Sequence, residues 1–125
     1  DKAVDFLQES IMKFQTGHSH GSFVLGLHGP NGRVGRARQA EILSHLAVRS
    51  SLDWQRLKIF LVDERYGFQA EEDSNAHLVQ DSLLRTLVRS GVAFPPEHFL
   101  APDPTLQPAE ACAAEYQQRL CALFE

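Results

Sequence analysis

Leu57-Lys58-Ile59-Phe60-Leu61-Val62 is a short apolar, partly β-branched run that passes without a break into Asp63-Glu64-Arg65. Its length and composition read as a strand buried in a sheet. Upstream, Phe23-Val24-Leu25-Gly26-Leu27 is a second such run, stopped by the turn signal His28-Gly29-Pro30-Asn31-Gly32. Between the two, residues 37–48 turn Ala40, Leu43, Leu46 and Ala47 toward one side, the pattern of a helix. Strand, helix, strand is a right-handed crossover unit, and it makes the two strands parallel neighbours.

The rest of the chain extends this unit. Val4, Leu7, Ile11 and Phe14 recur at helical spacing over residues 2–15, and Trp54 is expected to plug the edge of the core before the second strand. Residues 66–73 are polar and loop-like. Ser74 or Asp73 can cap a helix over 75–89, with Val79, Leu83, Leu84, Leu87 and Val88 as its buried stripe and Gly91 as its stop. Pro95, Pro96, Pro102 and Pro104 make residues 92–107 a pinned connection without a regular element. Pro108 opens a last helix whose apolar face is Ala109, Cys112, Ala113, Tyr116, Leu120 and Leu123.

The fold class is therefore α/β, a Rossmann-like parallel sheet with flanking helices in a single domain over residues 1–125. Two strands are a meagre platform for four helices, so a further strand is expected after Phe124. With the start at Asp1 rather than Met, this reads as an incomplete, N-terminal portion of a domain.

Composition narrows the function classes. Hydrophobic residues at 43% and charged residues at 22% are those of a globular domain. The apolar run 59–62 is far too short to cross a bilayer. A net charge of −4 provides no general field for nucleic acid, so any anion must be held locally. Cys112 and Cys121 fall on opposite faces of one helix and should not pair. Two unpaired thiols suit a reducing, cytoplasmic compartment, and no zinc-type spacing exists.

Ligands of open parallel sheets bind at the carboxyl ends of the strands. Adjacent strands lie about 4.8 Å apart, so the loop from Gly29 to Gly35 and the turn Asp63-Glu64-Arg65 should flank one crevice. Gly29, Gly32 and Gly35 precede a helix start, and Arg33, Arg36 and Arg38 add positive charge, a combination suited to phosphate. The spacing matches neither the Walker nor the dinucleotide pattern, and a flexible turn before a solvated basic face reads equally well. Arg65 can hold a phosphate in two-pronged fashion, and Asp63 and Glu64 can fix it or a substrate hydroxyl. The competing reading is a local ion pair that ends the strand. His28 is the histidine nearest this crevice, but a satisfied polar residue is the commoner role in such a turn.

Leu61-Val62-Asp63-Glu64-Arg65, followed by Asp73-Ser74-Asn75 at a helix start, resembles the 6-phosphogluconolactonase family. The Phe-Val-Leu-Gly-Leu strand and the approach Leu52-Asp53-Trp54 resemble it too, and the likeness spans nearly the whole chain. It implies the glucosamine-6-phosphate isomerase/deaminase-like fold and hydrolysis of 6-phosphoglucono-δ-lactone to 6-phosphogluconate in the oxidative pentose phosphate pathway, without metal or organic cofactor. It further implies that Gly29 and Arg65 bind phosphate, that Asp63 and Glu64 shape the site, and that Ser74 and Asn75 order the adjacent loop. The implied partner is a phosphorylated sugar lactone, with a fused or associated glucose-6-phosphate dehydrogenase as a further expectation.

The chain departs from the family pattern in two places. The first loop keeps one glycine of the expected pair and lacks the hydroxyl residue, and the Asp-Gly-His segment that carries the family's general base does not occur. These 125 residues alone are expected to be inactive, with the base supplied from outside them. One rival is a lactonase-derived module that has lost its chemistry and serves in interaction or structure. The other is a sugar-phosphate deaminase or isomerase relative, disfavoured because Arg65 stands where an aromatic residue is expected in that branch.

Overall fold

The computed structural model describes residues 2–30, 32–49, 51–67 and 73–124. Helix α1 (Lys2–Gly17) leads to strand β1 (Phe23–Leu27), helix α2 (Gly32–Ala47) and strand β2 (Leu57–Leu61). Helices α3 (Asn75–Val79) and α4 (Arg85–Arg89) are joined through a π turn at Gln80–Leu84. Strand β3 (Phe99–Leu100) and helix α5 (Ala109–Leu123) complete the described order.

The sheet order is β1-β2-β3, all parallel, with Phe23 opposite Leu57, Leu27 opposite Leu61 and Ile59 opposite Phe99. The crossover unit and the α/β class expected from the sequence are therefore present. The connection 92–107 is not free of regular structure, because β3 lies within it. Its two residues are short enough to vanish among prolines, and they take strand form by pairing with β2.

The core forms where β2 meets three helical segments. Leu57, Ile59 and Leu61 are at most 1% exposed and pack with Val4 and Ile11 of α1, Leu43 and Leu46 of α2, and Val79, Leu83 and Leu87 beyond them. Each such side chain contributes about 1.5–3 kcal/mol relative to an exposed one. Trp54 closes the edge as expected, 3% exposed and edge-on to Phe94. Val88 does not join the buried stripe. It is 76% exposed, since the π turn advances the helix by an extra residue and rotates its later positions.

The sheet's opposite face is only partly covered. β1 is half-buried throughout, although its unbroken apolar run implies cover on both faces. A β-carbon on Gly26 would sit 2.7 Å from the Phe60 ring, so glycine lets that ring lie across the sheet, where Phe124 meets it edge-on. Val62 remains 59% exposed beside it.

One arginine fastens the first connection. Arg56 donates to the carbonyls of Gly21, Gln15 and His18 at 3.1, 3.1 and 2.6 Å, tying the end of α1 to the start of β2. Gly21 sits in that link at φ 91°, a conformation that favours glycine. The ladder from Phe23 opposite Leu57 to Leu27 opposite Leu61 then places the carboxyl ends of β1 and β2 side by side.

Candidate sugar-phosphate crevice

The ladder continues one step past the strands, with Val62 N–H donating to Leu27 O at 2.8 Å. The chains then diverge, and their loops meet through side chains. Gly29 N–H donates to Asp63 Oδ1 at 2.6 Å, so the glycine loop and the charged turn form one assembly. Among the described residues these carboxylates form no ion pair, and both accept from backbone N–H groups.

Glu64 caps the following helix. Its Oε1 accepts from Asn75 N–H (2.7 Å) and from Arg65 N–H (2.9 Å), and its Oε2 accepts from Ala76 N–H (2.8 Å). A carboxylate is well placed there, because a helix start presents unpaired N–H groups and positive potential. Ser74 Oγ accepts from His77 N–H at 3.0 Å, the cap expected from the sequence. Asn75 Nδ2 donates to the Asp63 carbonyl at 3.1 Å. Ser74 and Asn75 are 3% and 5% exposed, so these are buried polar groups with their partners in place.

Helix α2 begins at Gly32, five residues before the expected start at 37. Gly35 is therefore helical and packs on Pro30, where a β-carbon would stand 3.3 Å from Pro30 Cβ. This close approach to the preceding turn accompanies the helix cost of glycine, about 1 kcal/mol. The glycine loop is shortened to the residues around Gly29 and Pro30; Asn31 lies outside the described residues, as do residues 68–72 of the expected polar loop.

The arginines of α2 have separate fates. Arg36 is half-buried and donates to Asn75 Oδ1 (3.4 Å) and to the Ser74 carbonyl (3.2 Å). Arg38 pairs with Glu41 at 3.7 Å, an exposed pair worth only about 0.3–0.5 kcal/mol. Arg33 is exposed in the first turn, which holds no acid. His28 is exposed, and its carbonyl accepts from Gln39.

On the side of the charged turn facing α5 lies a cavity of about 460 Å³, in the size range of small-molecule sites. Asp63, Glu64 and Arg65 form one wall, Ala101, Pro102 and Pro104 another. Arg65 is exposed, and among the described residues no hydrogen bond or ion pair engages its guanidinium. The proline wall is fastened by Tyr66 Oη to Leu106 O (2.9 Å), Cys112 Sγ to Asp103 O (3.1 Å) and Arg119 Nη2 to Ala101 O (2.8 Å).

The sequence reading placed Tyr116 in an apolar face and overlooked its hydroxyl. That oxygen accepts from Leu61 N–H (3.0 Å) and shares its proton between the carbonyls of Leu61 (2.8 Å) and Leu100 (3.0 Å), bridging β2 and β3. A tyrosine on a buried stripe is itself the signal, since a buried hydroxyl needs partners. Burial raises the Tyr116 pKa, opposed by its Leu61 hydrogen bond. Asp103 is lowered by bonds from the Thr105 hydroxyl and N–H. The two thiols stay free, Cys112 buried and Cys121 exposed. Among the described residues, no group of three or more His, Cys, Asp or Glu could hold a metal ion.

The fold agrees with comparisons to known proteins. The family model for glucosamine-6-phosphate isomerases/6-phosphogluconolactonase matches residues 1–125. A probable 6-phosphogluconolactonase of Dictyostelium discoideum is 31% identical over 94 residues, 75% of this chain and 38% of that protein. The solved 6-phosphogluconolactonase of Thermotoga maritima superposes with TM-score 0.70 at 24% identity, over 98% of this chain and 51% of its own. That of Plasmodium vivax gives 0.75 at 22% identity, over 98% of this chain and 38% of its own. The chain thus spans about half or less of the length of these relatives. On the match across all its residues, the chain belongs to the glucosamine-6-phosphate isomerase/6-phosphogluconolactonase family.

Proposed function

We propose that this chain forms the sugar-phosphate-binding part of a 6-phosphogluconolactonase, which opens 6-phosphoglucono-δ-lactone to 6-phosphogluconate. The observation that carries this reading is the division of labour in the charged turn. Asp63 Oδ1 and both Glu64 oxygens accept from protein N–H groups, while the Arg65 guanidinium is left at the cavity rim without a partner among the described residues. A planar guanidinium binds phosphate through two parallel hydrogen bonds, and a phosphate handle holds the lactone ring in register.

Opening the ring needs little more. Water adds to the lactone carbonyl, the resulting oxyanion collapses, and the ring C–O bond breaks to give an acid and an alcohol. No Asp-Gly-His occurs in this chain, and the reading assigns the base to residues outside these 125. The same reading includes a role in the oxidative pentose phosphate pathway, a cytoplasmic setting and proximity to the dehydrogenase that makes the lactone.

One contact favours the second reading, a module without chemistry. The Gly29 N–H, which a phosphate loop would offer to its ligand, is already given to Asp63. Steady-state lactonase kinetics on the intact protein decide between the two. Under the enzyme reading Arg65→Ala raises KM by about tenfold or more with a smaller change in kcat; absence of turnover in the unsubstituted protein would establish the module.

A further inference from the structure

We infer that Arg36 is a positioning residue of this crevice, acting through the side-chain amide of Asn75 to hold the glycine loop against the charged turn. The inference rests on the crevice being the sugar-phosphate site. The sequence reading counted Arg36 among the charges available to phosphate, but its guanidinium reaches into the protein toward Asn75 Oδ1 and Ser74 O.

The direction in which the Asn75 amide faces decides whether the two loops stay joined. A guanidinium only donates hydrogen bonds and a main-chain carbonyl only accepts them, whereas an amide does both from ends of nearly equal shape. Arg36 lies at the oxygen end, and the Asp63 carbonyl lies 3.1 Å from the nitrogen end. A donor on one side and an acceptor on the other leave the amide one orientation. Without the guanidinium the amide can turn over, which sets its oxygen against the Asp63 carbonyl and breaks the link.

Asn75 also touches the second loop. A β-carbon on Gly29 would overlap the side-chain amide of Asn75, standing 2.9 Å from its Cγ, so the amide packs directly on the glycine backbone. Asn75 is 5% exposed. Arg36, Asn75, Asp63 and Gly29 thus form a continuous path from α2, across the start of α3, to both loops. Arg65 is carried by the same turn, so its placement depends on that path.

The test is amide hydrogen exchange by NMR on the labelled protein, together with titration by inorganic phosphate. Arg36→Met keeps the aliphatic stem and removes the donors. It should speed exchange at the Gly29 N–H about tenfold and weaken phosphate binding, with the β1 and β2 amides unchanged as a check on folding. Arg36→Lys, which offers one ammonium in place of a two-pronged donor, should recover part of both effects; should Arg36→Met lose strand protection, Arg36→Lys against the unsubstituted protein gives the same comparison. Unchanged Gly29 exchange would overturn the inference. Weakened phosphate binding with Gly29 still protected would also overturn it, by showing that Arg36 meets the anion directly. If the unsubstituted protein binds no phosphate while Arg36→Met exposes Gly29, positioning by Arg36 stands and the sugar-phosphate reading fails.

Discussion

Gly29 and Asp63 each lie two residues past the end of adjacent parallel strands, and the glycine N–H meets the aspartate Oδ1 at 2.6 Å. This bond converts two loops, distant in sequence, into one surface. It depends on strand register, because a shift of one residue along β1 or β2 would turn the partners to opposite faces.

Gly29→Ala tests how closely the loops approach. The new methyl would overlap the Asn75 amide, which is held by Arg36 and the Asp63 carbonyl. We expect a loss of about 1–3 kcal/mol from overpacking, read from the urea midpoint at constant m value. An unchanged midpoint would show that Asn75 yields without cost.

Glu64→Ala removes the carboxylate that accepts from Asn75, Ala76 and Arg65. Loss of a helix cap of this kind costs about 0.5–2 kcal/mol. Glu64→Gln should recover part of it, because an amide oxygen still accepts but carries no charge toward the helix start. Equal loss in both variants would mean that charge, rather than the bond, is the whole of the effect.

Tyr116→Phe removes the bridge between Leu61 and Leu100 while keeping the ring. Leaving those buried backbone groups unsatisfied should cost about 1–3 kcal/mol. The pH dependence has a definite sign. Burial raises the folded-state pKa of Tyr116 above its ordinary value of 10.0, so its contribution is complete below that pH and is lost as pH rises through the folded value. Urea midpoints from neutral pH upward should fall more steeply above pH 10.0 in the unsubstituted protein than in Tyr116→Phe; parallel curves would remove the titration from the account.

Much of this fold was legible because its signals are local. The apolar runs at Phe23–Leu27 and Leu57–Leu61 and the Ser74 cap each declare themselves within a few residues. What escaped was set by partners far along the chain. Two residues of β3 are strand because β2 lies beside them and Tyr116 closes the join. The early start of α2 is a local exception, in which Gly35 fits against Pro30 five residues before it, a contact that no helix propensity reports. In the crevice, Asp63-Glu64-Arg65 announced itself by charge at a strand end. That Asp63 and Glu64 serve backbone N–H groups and leave Arg65 outward could be seen only after folding.

Ala113→Trp probes the cavity between the charged turn and α5. Ala113 is exposed and lines that space, so an indole there should fill it with less than about 0.5 kcal/mol change in stability, as at most surface sites. Binding of 6-phosphogluconate should be lost while that of inorganic phosphate survives. Retained sugar-phosphate binding would place the sugar elsewhere.

The most direct test of the central claim is isothermal titration of 6-phosphogluconate, the hydrolysis-stable product, into the protein and its Arg65→Ala and Arg65→Lys variants. If Arg65 grips the phosphate, alanine should weaken binding by about tenfold to a hundredfold, the cost of losing a charge-assisted pair, with lysine between the two. Equal affinity in all three proteins would contradict the account.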